Sequence, residues 1–133
     1  MPEKYQYGGY MDMSERIVLC GTNSYEQKYY FNKEQFGKLP EDIQDELHII
    51  CVLFTEEVGG IFTVEFDENG SLCFETQAAD NDYLYDEIGS GLMIREIERN
   101  RAQLLHSLEL YYKIFILHQG IDQITEENSP REV

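Results

Sequence analysis

The sequence predicts an α+β fold in two layers. An antiparallel sheet built from two hairpins is covered on one face by two helices, in the order β-β-α-β-β-α. Three observations lead there. Asn69-Gly70 lies between two short runs of alternating apolar residues, the strongest local signal for a hairpin. Two longer stretches, 43–58 and 92–118, repeat their apolar residues at steps of three and four. The chain's 133 residues, 42% hydrophobic and 13% aromatic, suffice for one domain with a core that needs no metal or disulfide staple.

Taken in order, Arg16-Ile17-Val18-Leu19-Cys20 is a β-branched run closed by Gly21, with turn formers Asn23 and Ser24 behind it, and reads as a first strand. In 25–32 the Tyr29-Tyr30-Phe31 run favours a strand, whereas Ser24 followed three residues later by Gln27 suits a helix capping box. The strand is preferred and completes a hairpin. Leu39-Pro40-Glu41-Asp42 then announces a helix, since proline suits the first helical position and acids suit the positive end of the macrodipole. Ile43, Leu47, Ile50, Cys51, Phe54 and Val58 fall in a stripe about 100° wide, and Gly59-Gly60 supplies a stop. The stretch 48–55 is apolar all round and β-prone, so a strand is the rival reading there. In the second hairpin, Phe62, Val64 and Phe66 share one face, as do Leu72 and Phe74 across the turn. A connection over 77–91 leads to the long helix at 92–118, marked by Ile94, Ile97, Arg101, Leu104, Leu108, Tyr111 and Phe115. That helix starts at Ser90, acting as its cap, or nearer Asp82 with Gly89 and Gly91 inside it. Residues 1–14 are expected to form a flexible extension and 120–133 a flexible acidic tail, leaving 15–119 as the single domain.

The charge is strongly unbalanced: 26 acidic against 10 basic side chains, a formal −16. Nucleic-acid affinity comes mostly from lysines and arginines that release counterions, so direct nucleic-acid binding is disfavoured, and so are anionic membrane surfaces. The imbalance is local. Residues 1–38 and 95–119 are near neutral, whereas 39–94 holds fourteen acids and no lysine or arginine. Glu41, Asp42, Asp45, Glu46, Glu56, Glu57, Asp82, Asp86 and Glu87 are the candidate partner surface. They face a basic protein, or the Arg95, Arg99 and Arg101 region of a second copy, with solubility as the plainer explanation. Tyr111, Tyr112 and Phe115, in a stretch apolar nearly all round, are the candidate contact of a homodimer.

No catalytic, metal or cofactor site is expected. Cys20, Cys51 and Cys73 are odd in number, widely spaced and set in apolar segments, which suits buried thiols in a reducing cytoplasm better than a disulfide framework. No segment approaches the 18 or so apolar residues of a membrane span. His48, His106 and His118 belong to no metal motif. Asp80-Asn81-Asp82 begins like a calcium loop, but Leu84, Tyr85 and Gly91 stand where ligands and the obligatory glycine belong. Gly89-Ser90-Gly91 lacks the lysine of a phosphate loop. Tyr25, Tyr29, Tyr30 and Phe31 could stack bases, but only Lys28 and Lys33 accompany them.

The segments SYEQKYYFN (24–32), LPEDIQDEL (39–47), CVLFTEEVGG (51–60) and LYDEIGSGL (84–92), followed by a tyrosine-bearing helix, resemble a small uncharacterised protein family of Gram-positive anaerobic bacteria over residues 17–118. The resemblance implies a domain of unknown function and carries no catalytic residue with it. The expected function is therefore a non-enzymatic, protein-binding module, adaptor-like or chaperone-like. An acidic nucleic-acid mimic that inhibits a basic DNA- or RNA-binding protein is the alternative, and a metal-dependent enzyme the second alternative.

Overall fold

The computed structural model describes residues 16–118, so the expected extensions at 1–14 and 120–133 lie outside the described residues. Strands β1 (Ile17–Asn23) and β2 (Lys28–Phe31) form the first hairpin, followed by a single helical turn α1 (Lys33–Phe36) and the long helix α2 (Glu41–Val58). Strands β3 (Ile61–Phe66) and β4 (Leu72–Gln77) form the second hairpin. Helices α3 (Glu87–Asn100) and α4 (Ala102–Tyr111) follow, and the chain continues in a π-helical turn (Tyr112–Ile116).

The fold is α+β, with one four-stranded antiparallel sheet in the order β2-β1-β3-β4. The element order, β-β-α-α-β-β-α-α, corrects the expected one in two places. The first is α1, an element absent from the expected order. Asn32 makes it possible: its Oδ1 accepts from the Gln35 N–H, while its Nδ2 donates to the Val18 carbonyl at 2.9 Å, tying the turn to β1. The second is the long carboxy-terminal helix. It starts at Glu87, capped by Asp86, whose side chain accepts from the Gly89 N–H at 2.9 Å. Ser90 is buried inside the helix rather than capping it, and Gly89 and Gly91 are interior. The helix then breaks at Arg101, whose backbone leaves the helical region (φ −120°, ψ 29°) and divides α3 from α4.

Helix α2 settles the 48–55 ambiguity in favour of helix. Pro40 stands at the N-cap, one position before the first helical residue, and Gly59 closes the helix at φ +92° with its N–H on the Thr55 carbonyl. The apolar stripe works as expected: Leu47, Ile50, Cys51, Phe54 and Val58 are all buried against the sheet. They meet Leu19, Cys20, Phe62, Val64 and Phe66, with the rings of Phe54 and Phe62 stacked at 4.0 Å. A register shift between Val18 and Cys20 inserts Leu19 as a bulge. In the second hairpin, Asp67 Oδ1 accepts from the N–H groups of Asn69 and Ser71, both at 2.9 Å, and Gly70 adopts φ +88°. Gly70 also lies against Lys113 and Tyr112, with no room for a Cβ.

At the far end, Phe36, Phe66 and Tyr112 stack in a second aromatic cluster, with Tyr112 4.3 Å from Phe66. Tyr112 is 2% exposed. Its expected place in a contact between copies is thereby corrected, because the π-helical turn directs it into this chain's own core.

Candidate protein-binding surface

Helices α2 and α3 run antiparallel. Glu46 pairs with Arg101 across their seam, and Ile50, Leu53, Met93 and Ile97 line a hollow of about 170 Å³ between them. With one stripe of α2 on the sheet and one flank on α3, the opposite ridge faces outward. Steps of three and four place Asp42, Asp45, Ile49 and Glu56 along that ridge, with Leu53 at its border with the α3 seam. Ile49 and Leu53 are 53% and 51% exposed and lie one helical turn apart, so their side chains are neighbours on the surface. Acids flank them at both ends. The α3 ridge repeats the pattern with the other sign: Ile88 and Leu92 are exposed, followed by exposed Arg95 and Arg99, which make no ion pair among the described residues. Next to α3, Tyr83 and Leu84 project at 90% and 92% exposure.

The nine candidate acids divide into two groups. Glu41, Asp42, Asp45, Glu56, Glu57 and Glu87 are exposed on helices. The other three bind within the chain. Glu46 holds Arg101, Asp86 caps α3, and Asp82 accepts from the Tyr25 hydroxyl at 2.6 Å and from the Leu84 N–H at 3.0 Å. Three further acids of the 39–94 block are also engaged. Asp67 organises the hairpin turn, and Glu65 and Glu75 both pair with Arg16. The Glu65 carboxylate additionally accepts from Thr63 Oγ1 at 2.8 Å. The block is thus not one continuous acidic stripe. Among the candidate dimer residues, Tyr111 is half-buried beside Phe36 and Phe115, Tyr112 is buried, and Phe115 is exposed.

A second feature lies on the opposite flank of α2, where it meets β2. His48 stacks on Tyr29 at 4.0 Å and 11°, and this pair separates two open clefts. One, of about 430 Å³, is lined by residues including Thr22, Lys28, Val52, Thr55 and Glu56; the other, of about 370 Å³, by Phe31, Lys33, Gln44 and Asp45. Beneath them the Sγ atoms of Cys20 and Cys51 approach to 3.7 Å, both thiols free and buried. Burial, and then contact with Cys51, push the Cys20 thiol well above its ordinary value. Burial, and then the two neighbouring thiols, do the same to the Tyr29 phenol. Among the described residues, Thr22 Oγ1 is buried without a hydrogen-bond partner. Among the described residues, no group of three or more His, Cys, Asp or Glu side chains is placed to hold a metal ion, and no helix is long and apolar enough to cross a membrane.

Ile49, Leu53, Ile88 and Leu92 were not among the expected surface residues. Their signal was present, because Ile49 and Leu53 fall off the apolar stripe of α2. The pairing of Cys20 with Cys51, by contrast, depends on tertiary packing across 31 residues and leaves no local trace.

Together these observations define a small acidic α+β domain organised by a four-stranded antiparallel sheet, with apolar side chains left outside its core. Residues 16–120 match the model of the family of unknown function DUF6145, and the chain belongs to that family. No curated protein and no solved structure matches it.

Proposed function

We infer that this chain is a non-enzymatic, cytoplasmic protein-binding module, adaptor-like or chaperone-like, whose helical layer presents the binding surface. One observation carries the reading: Ile49 and Leu53 stand exposed on α2 between acids at both ends of the same ridge. An apolar centre with a polar rim is the anatomy of a recognition surface, since desolvated side chains at the centre supply most of the binding energy. The surrounding carboxylates favour a partner segment that is basic and carries apolar residues, and would speed the encounter at low salt. The three free cysteines, two of them in contact and unbridged, support a reducing compartment.

The acidic nucleic-acid mimic is less well supported, because six of the fourteen carboxylates in 39–94 serve caps and ion pairs inside the chain. Affinity capture from the native host, with the wild type beside a doubly substituted Ile49→Asp, Leu53→Asp chain, tests the reading. A basic protein retained by the wild type, lost from the variant and weakened by salt supports it. A partner held equally by both chains places the binding surface elsewhere.

A further inference from the structure

Helices α2 and α3 carry complementary ridges on one side of the molecule. Ile49 lies two residues from buried Leu47, and Arg95 and Arg99 lie two residues to either side of buried Ile97. At about 100° per residue these positions stand nearly opposite the buried ones, so both ridges leave the helical layer away from the core. The α2 ridge is acidic around its apolar residues. The α3 ridge is apolar at Ile88 and Leu92 and basic at Arg95 and Arg99. Arginine is otherwise committed. Among the described residues Arg16 and Arg101 are held in ion pairs, whereas Arg95 and Arg99 make none. Within one chain the two ridges point the same way and stand side by side, with no ion pair joining them among the described residues.

We propose that the basic, apolar partner of the α2 ridge is the α3 ridge of a second copy, in a two-fold dimer that stacks the two helical layers face to face. The proposal rests on the reading of the α2 ridge as a binding surface and names its occupant. Three features point to a second copy. The first is chemistry: the α3 ridge supplies both things the α2 ridge calls for, exposed apolar side chains and cations not already paired. The second is symmetry. Because α2 and α3 run antiparallel, a two-fold axis parallel to them over their seam lays α2 of each copy along α3 of the other, again antiparallel, and every contact forms twice. The third is level. Glu46 meets Arg101, and Leu53 lines the same hollow as Met93. Rotation about that axis preserves height along the helices. At about 1.5 Å per residue, Leu53 of one copy comes within a turn of Leu92 of the other, and Asp45 within a turn of Arg99. Ile49 falls between Arg95 and Arg99, against their aliphatic stems. Apolar meets apolar and acid meets base at the heights the fold already sets. The net charge of −16 opposes the association as a whole, so the dimer is weak and the local match decides its geometry.

The test is sedimentation equilibrium of the full chain from about 1 μM to about 1 mM, where a monomer–dimer equilibrium is expected. Asp45→Arg and Arg99→Asp should each weaken it at least tenfold, since each sets two pairs of like charges in the interface. Asp45→Arg should do so although it brings the net charge nearer zero, a change that general repulsion alone would answer with tighter association. Mixed in equal amounts, the two variants should form a heterodimer of near wild-type strength, because both of its charge pairs are then of opposite sign. Circular dichroism spectra matching the wild type verify that each variant is folded. A wild-type chain monomeric over the whole range overturns the proposal. So does a folded variant that dimerises as the wild type does, or a mixture that stays monomeric. These outcomes leave the binding reading to the capture experiment: a basic host protein held by the α2 ridge of a monomeric chain removes the second copy as occupant and keeps that reading.

Discussion

The hairpin β1–β2 and the segment 39–94 that follows it are built on opposite electrostatic terms. The hairpin carries one acid and one base, Glu26 and Lys28, whereas the segment carries fourteen acids and no lysine or arginine. Yet both bury their apolar residues in the same core. The difference shows that the acidity of 39–94 is two populations in one stretch of chain. Six carboxylates are structural: they cap α3, shape the β3–β4 turn, or hold Arg16, Arg101 and Tyr25. The other eight are exposed, five of them on α2. Only the second population is available to a partner.

The largest effects should come from the core that the two regions share. Phe54→Ala removes a ring stacked on Phe62 at 4.0 Å and should destabilise the fold by about 3–5 kcal/mol in urea unfolding. A loss below about 1 kcal/mol would mean that α2 is not clamped on the sheet by this stack. Gly60→Ala comes next. Gly60 adopts φ +74°, and a Cβ there would lie 2.6 Å from the Gln77 carbonyl oxygen and 2.8 Å from the Tyr85 ring. Strain of about 1–3 kcal/mol is expected, with crowding added to it. Thermal unfolding would show it as a lowered Tm.

Much of this core was legible because amphipathic period survives translation into structure. The stripe of α2 and the alternating face of β3 could be read directly from residues such as Leu47, Phe54, Phe62 and Val64. The helix break at Arg101 was not legible, because Arg101 sits in phase with Ile97 and Leu104 and no proline or glycine marks it. Nor was Tyr112, which belongs to a cluster formed with Phe36 and Phe66 from distant parts of the chain. The partner surface was half legible. Its acids stood out by composition, but which of them were already engaged depended on Arg16, Tyr25 and Arg101 arriving from other elements.

The neutral hairpin has its own titration signature. Burial keeps the Cys20 thiol protonated in the folded chain, while the unfolded chain releases that proton near the ordinary thiol value of about 8.5. With the folded value raised, this contribution is fully present below that pH and is lost as the pH rises toward the folded value. Stability should therefore fall above about pH 8.5, by up to about 1.4 kcal/mol per pH unit for each proton withheld. The Tyr29 phenol acts in the same direction above its own ordinary value of about 10. In urea unfolding across this range, Cys20→Ala should show a lower plateau and a shallower alkaline decline. An unchanged decline would move its origin out of the hairpin.

The two kinds of carboxylate can be separated by smaller effects. Asp86→Ala removes the side-chain acceptor for Gly89 N–H at the start of α3, and loss of such a cap costs about 1 kcal/mol. Asp45→Ala, on the outward ridge of α2, should change stability by less than about 0.5 kcal/mol in either direction. Equal losses would dissolve the division into structural and available acids.

The smallest effect on stability should come from the residues that matter most to binding. Ile49 and Leu53 lie on α2 between its acidic ends, pointing away from the stripe formed by Leu47, Ile50, Cys51 and Phe54. Truncating either to alanine removes little apolar surface that folding had buried, and alanine is the better helix former, so the two contributions nearly offset. Each change should alter the unfolding free energy by less than about 0.5 kcal/mol, against the several expected for Phe54 on the same helix. Loss of about 2 kcal/mol or more at Ile49 would mean that it packs within its own chain, and the outward ridge would cease to be a surface. A near-zero change accompanied by loss of the captured partner would instead show two functions divided between opposite faces of one helix, folding on the sheet side and recognition on the other.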